Sequence, residues 1–562
     1  MSYHPCMLAR CIVLGFACFQ FLAPTTVLAD DRKTEQGGAK QGQPVSVPTS
    51  KLAAQVDTQR YYIVELLGAQ SGYMHTSQKT SAGTITTDTV MTMNIARGKT
   101  NVSIAMSSQF VETVDGAPVS MRSEQKLGTM AVVAQSAFVD GMIKTVTTQG
   151  GKDLTTETEN PKDWLPPAAM ERDVKARFVA MLEAEKLEEG KLDDPAKREA
   201  SKPRELVVRT IDPLSGPVVI ESKRKGFEVE EIEVGGKKVK ARKVLTSLSS
   251  MPGVGSVEWI DDEGELLRSE TSVGGLQVVL IRSDKETAMR GGTGKQAKAA
   301  KVPEIMLSTF VKPNRKIENA RGLKDATYVI RSVSKDPSAK LPEIPSTGAQ
   351  CVTRVDDRTA RLRVSVDAVH CEVPAPADIK PLLASSPVAD ASDERIVALK
   401  DKILKEANLQ HVHGKEAAQA EAIRLGVRAA IKQKTLDVGF ATASETVRTG
   451  EGDCTEHAVL LVATLRAAGI PARGVTGLVY ADQFAGSEHI FGYHMWAQAL
   501  LDAPDAQGKI VKRWVDLDAA LPGERFDATH IALGVTTLSE GDSMQSLISV
   551  AGFLGEIAID VE

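Results

Sequence analysis

The sequence predicts an α+β protein in which antiparallel β-rich regions come first and a unit of helices packed on an antiparallel sheet closes the chain. Three observations carry this. From Tyr61 to Met289 apolar and polar residues alternate, as in Val102, Ile104 and Met106, and turn pairs such as Asp115-Gly116, Asp140-Gly141 and Gly235-Gly236 break the runs. After residue 388 the spacing changes to three, four or seven, marked by Ile396, Leu399 and Ile403 and then by Ile423, Val427 and Ile431. Beyond Pro471 period two returns in three strands, from Gly474 to Tyr480, around Tyr493 to Leu500, and from Ile510 to Leu517.

A chain of 562 residues is too long for one core and suggests about three or four domains. The opening residues have the pattern of a signal peptide: a polar start ending in Arg10, an apolar run from Cys11 to Leu22, and Val27-Leu28-Ala29 before Asp30. That run is shorter than the roughly 20 residues that span a bilayer, so an exported, periplasmic or extracellular product is expected, with a retained anchor as the alternative. Residues 1–29 are read as the signal and 30–55, rich in Gly, Gln, Lys, Ser and Pro, as a flexible leader. A formal charge of −5 argues against a nucleic-acid surface, which needs clustered Lys and Arg.

Residues 56–290 form the first β-rich region, with one helix expected from about Ala168 to Lys191. The charges alternating around Val174, Phe178 and Leu182 read as a solvated face of that helix. Strands, a helix and more strands in this order resemble exported half-barrel domains that carry lipoproteins or lipids. That resemblance of pattern implies a shape and leaves an envelope lipid or glycan as a candidate ligand. A basic, Gly-rich linker follows at 291–301; its Gly294-Lys295 is not a phosphate loop, because Gln296 follows the lysine. Residues 302–388 read as a smaller β-rich domain and 389–562 as the last domain. Export leaves Cys351, Cys371 and Cys454. In an oxidising compartment the first two are expected to pair, although a hairpin turn at Asp356-Asp357 would put Cys371 well past the residue facing Cys351.

Cys454 stands in Glu451-Gly452-Asp453-Cys454-Thr455-Glu456-His457, ahead of an apolar run. Asp453 can cap a helix and Glu456 can reach back to it, which puts Cys454 at the first helical position. Backbone N–H groups and the positive end of the helix dipole favour thiolate there. Gly469 and Pro471 end the helix. On the strand that follows, His494, Trp496 and Gln498 share one face, and on the next Trp514, Asp516 and Asp518 share another. A hairpin would bring an imidazole and a carboxylate together while the helix delivers the thiol, the set needed for nucleophilic chemistry.

Four blocks in order, Gly452 to Ala458, Leu465 to Arg473, Tyr493 to Ala497 and Trp514 to Asp518, resemble the transglutaminase-like superfamily over roughly residues 390–530. The resemblance implies a papain-like core with Cys454 as nucleophile, His494 as general base and acid, and Asp518 as the orienting acid. It favours Asp518 because the family places its acid four residues after the tryptophan; Asp516 is the second choice. Trp496 and His457 are supporting candidates, His457 more as a structural or capping residue. The second oxyanion donor is not identifiable from sequence. His411, His413 and His489 have no ligand partners at metal spacing, and neither metal nor cofactor is expected. The resemblance implies a thiol peptidase, amidase or cross-linking transglutaminase acting on a protein or peptide substrate. The alternative is a non-catalytic envelope protein whose β-rich domains bind lipid, glycan or protein.

Overall fold

The structure, a computed structural model, describes residues 57–562 except 98–99, 128–129, 150, 190–204, 215, 250–254, 274–275, 291–308, 335–339, 368–375, 411, 413, 435–440, 505–507, 522–525, 540–552 and 554. The expected signal, leader and linker, and Cys371, lie outside the described residues. Among those described, no helix is long and apolar enough to cross a membrane.

Fourteen strands between Thr58 and Ser283 make one antiparallel sheet. The first, Thr58–Leu66, lies inside the sheet, paired with Ala69–Ser81 on one side and Leu276–Ser283 on the other. Hairpins run outward from there to edge strands Lys152–Glu159 and Glu205–Ile211. The helix Pro167–Glu189 lies between these edges in the chain, and the Glu112 carboxylate accepts its Ala168 and Ala169 N–H groups at 2.7 Å each. Val174, Phe178 and Leu182 are buried, each worth about 1.5–3 kcal/mol. The solvated face expected for this helix needs correction. Glu171 takes Arg60 Nη2 at 2.5 Å and Lys175 reaches Glu265 at 2.5 Å, so two of the charges are tied to strands.

A second sheet runs Gln350–Asp356, Thr359–Ser365, Asp325–Ser332, Ile557–Val561. Its last member is the C-terminal strand, which returns to pair with Asp325–Ser332. Cys351 faces Arg363 across the hairpin and is disulfide-bonded.

The third unit contains helices α1 (Glu394–Glu406), α2 (Glu416–Ala430), α3 (Ala443–Thr449) and α4 (Cys454–Ala467), followed by strands β1 (Ala472–Phe484), β2 (Ser487–Pro504), β3 (Ile510–Leu517) and β4 (His530–Thr536). The sheet order is β3-β2-β1-β4, all antiparallel. Residues 454 to 466 of α4 are all buried, as a helix wrapped on every side by its own domain must be. It packs on β2 and β1 and against α1, α2 and α3. The second sheet docks here through Gln350, which exchanges two 2.9 Å hydrogen bonds with the Ala532 backbone, and the segment before it adds an isolated bridge in which Val311 exchanges two with Phe491.

Candidate active site

The start of α4 is built by local chemistry. Asp453 accepts the Thr455 N–H at 2.9 Å, and the Glu456 carboxylate accepts the Asp453 N–H at 3.0 Å, closing a capping box. Gly452 is required for this closure, since a Cβ there would sit 2.5 Å from Glu456 Cβ. Cys454, in no disulfide and 2% exposed, is the first residue of the helix and packs on Ala520. Lys434 donates to the Ala520 carbonyl. Its ammonium lies near the thiol and Asp518, and burial pulls its pKa down.

His494 and Trp496 lie on one face of β2 with parallel rings 6.1 Å apart. Strand β3 ends at Leu517, so Asp518 sits just beyond it. Asp518 Oδ2 accepts from His494 Nε2 at 2.9 Å, and Oδ1 accepts the Ala520 N–H at 2.7 Å. Arg424 holds the Asp518 carbonyl at 3.0 Å. Despite burial, the donations from His494 and a second histidine keep the Asp518 carboxyl well below its usual pKa. Burial lowers the His494 pKa more than Asp518 raises it. With Nε2 carrying a proton toward Asp518, Nδ1 is the nitrogen left to exchange a proton with a thiol.

Residues 404–519 match the model of the transglutaminase-like superfamily. The C-terminal domain is transglutaminase-like. No curated protein matches the chain significantly. Among solved structures the chain is similar to a putative cysteine protease from Cytophaga hutchinsonii, with 15% identity, coverage of 42% of this chain and 81% of that chain, and a TM-score of 0.23. It is similar to the periplasmic domain of TgpA from Pseudomonas aeruginosa bound to ethylmercury, with 16% identity, coverage of 36% and 91%, and a TM-score of 0.22. A β-barrel-like protein of a domain of unknown function from Brucella abortus has 14% identity, coverage of 40% and 95%, and a TM-score of 0.28. Likeness at this level supports no conclusion about activity.

In the transglutaminase-like domain the two aspartates have separate tasks, which the shared-face reading does not separate. Asp516 Oδ1 accepts from Trp496 Nε1 at 2.8 Å and Gln498 Nε2 at 2.7 Å, and Oδ2 accepts the Ala349 N–H at 2.8 Å. It therefore fixes the ring that stacks on His494 and ties the second sheet to β3. The Trp496 N–H is committed to that bond. His457 Nδ1 donates to the Asp453 carbonyl at 2.6 Å, and burial pulls its pKa down to about 4, so the ring is neutral at pH 7.

One member of the cluster is missed by sequence reasoning. His530, the first residue of β4, places Nε2 3.2 Å from Asp518 Oδ2. The period-two run from His530 to Thr536 is a signal that could have found this strand. Ligand atoms of His494, Asp518 and His530 converge within 4.8 Å, yet the trio does not suit a divalent cation. A metal needs a nitrogen lone pair, whereas both His530 nitrogens face only oxygen acceptors and must carry protons.

Proposed function

We propose that the transglutaminase-like domain is a thiol acyl-transfer enzyme acting, after export, on peptide or glutaminyl amides. The observation that carries this reading is the 2.9 Å bond between His494 Nε2 and Asp518 Oδ2, with the thiol of a capped helix start packed on Ala520, whose N–H donates to the same Asp518. The proposed roles follow from the donor arrangement. His494 Nδ1 takes the Cys454 proton, and the dipole of α4 stabilises the thiolate. The sulfur attacks the amide carbonyl carbon, the C–N bond breaks, and the imidazolium returns its proton to the leaving amine. A thioester remains on Cys454. Water releases the acid in a peptidase or amidase, whereas a second amine releases a new amide in a cross-linking enzyme. Asp518 holds the imidazole in the required tautomer throughout.

The test is labelling of protein lacking residues 1–29 with an iodoacetamide probe across pH, beside amide cleavage and amine incorporation assays. The expected result is one labelled residue, Cys454, with a rate that stays high below pH 7 and loss of both activities in Cys454→Ala. Unchanged activity in Cys454→Ala, or a thiol that alkylates only with an ordinary pKa of about 8.5, overturns the reading.

A further inference from the structure

We infer that His530 is a positioning residue for this site: a charged imidazolium clamped between Asp518 and Asp527 that sets how strongly Asp518 holds the proton of His494. Its kinetic consequence rests on the thiol acyl-transfer reading, whereas its charge state rests on geometry alone.

The geometry leaves His530 no neutral form that satisfies its surroundings. Nε2 is 3.2 Å from Asp518 Oδ2. Nδ1 is 3.0 Å from the Asp527 carbonyl and 3.4 Å from Asp527 Oδ1. All three oxygens can only accept, the carboxylates being ionised, so each nitrogen must donate and the ring carries a positive charge. Asp527 is itself fixed. Its Oδ1 accepts the Thr529 N–H at 2.9 Å and the Thr529 hydroxyl, and Oδ2 pairs with Arg321 Nη1 at 2.9 Å.

The other groups facing the ring fit a cation. Phe526 lies across it at 4.1 Å and Trp496 meets it edge-on at 5.2 Å. The titratable and charged groups around it are Asp527, Asp518, the more distant Asp516, His494, whose ring centre is 5.7 Å away, and Arg321 behind Asp527. Burial opposes the charge, but the two nearest carboxylates overcome it and raise the His530 pKa to about 9. The chain Arg321, Asp527, His530, Asp518, His494 thus alternates in sign up to the His494 imidazole.

One oxygen, Asp518 Oδ2, serves both imidazoles. A positive charge on His530 offsets part of the carboxylate's stabilisation of the His494 imidazolium, so His494 gives up its Nδ1 proton at lower pH than it would beside Asp518 alone. The same charge keeps Asp518 ionised. A glutamine at 530 retains an N–H donor but removes the charge, which separates the electrostatic effect from the hydrogen bond.

Two measurements on the full chain test this. In protein labelled with 15N-histidine, the resonances lost in His530→Gln should have both nitrogens protonated up to about pH 8, in wild type and in Cys454→Ala alike. A neutral ring at pH 7 overturns the inference, and this readout needs no activity. The second measurement is the pH dependence of Cys454 alkylation by iodoacetate, whose negative charge makes the reaction depend on the His494 imidazolium. In His530→Gln the alkaline limb should move up by about one pH unit, with KM for an amide substrate changed less than twofold. An unmoved limb in a folded variant overturns the positioning role. If His530→Gln fails to fold, Asp527→Asn, which weakens the charge on His530, should move the limb in the same direction by less, and no movement there has the same force. An inert Cys454 in wild type defeats the acyl-transfer reading while leaving the NMR result standing.

Discussion

The first sheet and the transglutaminase-like domain both bury full charges, and they treat them differently. In the sheet, Arg224 and Glu258 pair at 2.8 Å with side chains 1% and 0% exposed. Around that pair, Ser222, Ser269 and Thr271 have side-chain oxygens with no hydrogen-bond partner among the described residues, and Thr246 is the side chain that helps Arg224 hold the Glu258 carboxylate. In the transglutaminase-like domain, the Asp518 carboxylate accepts on both oxygens and His530 donates from both nitrogens. A buried charge with few contacts is a cost carried by the fold, because desolvation is repaid only when the remaining donors and acceptors are filled. A buried charge filled on every side is held in one orientation, which is what chemistry at a single atom requires.

The largest test of this contrast is Asp518→Asn. It preserves size, yet removes the charge that both His494 and His530 need. Activity toward an amide substrate should fall by about 10³- to 10⁴-fold, measured as kcat, while Cys454 stays accessible to a small alkylating probe. A loss below tenfold would mean that the acid is not fixing the imidazole.

Next in size is the isolated pair in the sheet. Arg224→Met should destabilise the protein by about 3–5 kcal/mol in denaturant titration, because Glu258 is left buried without its cation. The double replacement Arg224→Met with Glu258→Leu should recover most of that loss. Amide turnover should be unchanged in the double variant. If the double variant is as unstable as the single one, the pair is not a net cost.

His457 gives a pH test of similar scale. Its folded pKa of about 4 lies below the reference value of 6.5, so between those values the unfolded chain binds more protons than the folded one. Stability then falls as pH drops from about 6.5 toward 4, by about 3 kcal/mol for this residue. His457→Gln, neutral at every pH and able to donate to the Asp453 carbonyl, should flatten that part of the curve. His494 is lowered in the same direction, so a residual slope should persist. His530 acts oppositely: its stabilising charge is complete below about 6.5 and is lost as pH rises through about 9.

The smallest effect is expected at the cap. Asp453→Ala should cost about 1 kcal/mol of stability and should slow Cys454 alkylation below pH 7 by weakening the ordered N–H groups at the helix start. Equal rates in both proteins would show that the thiolate draws its stabilisation from elsewhere, with Lys434 the nearest candidate.

Legibility tracks distance along the chain. The helix at Cys454 is readable because its cap, Asp453, Gly452 and Glu456, lies within four residues. Alternation along one strand puts Trp496 beside His494, and the helix of the first region is similarly local. Period alone does not separate Asp516 from Asp518, since they are two residues apart in the chain. The end of β3 at Leu517 and the Trp496 and Gln498 donors waiting for Asp516 separate them. The strand Ile557–Val561 pairs with residues more than two hundred positions earlier, a choice that no window of sequence contains.

The sequence alone determines where the capped helix starts, which residue types line β2, and that thiol, imidazole and carboxylate occur in a transglutaminase-like order. Those features depend on covalent spacing and on backbone periods of 3.6 and 2. Tertiary structure alone decides what surrounds each imidazole. His457 meets a carbonyl where burial outweighs the nearby charges and is neutral, while His530 meets two carboxylates and is charged. The same side chain titrates five units apart, from about 4 to about 9, because burial and neighbouring charges act through space and not along the chain.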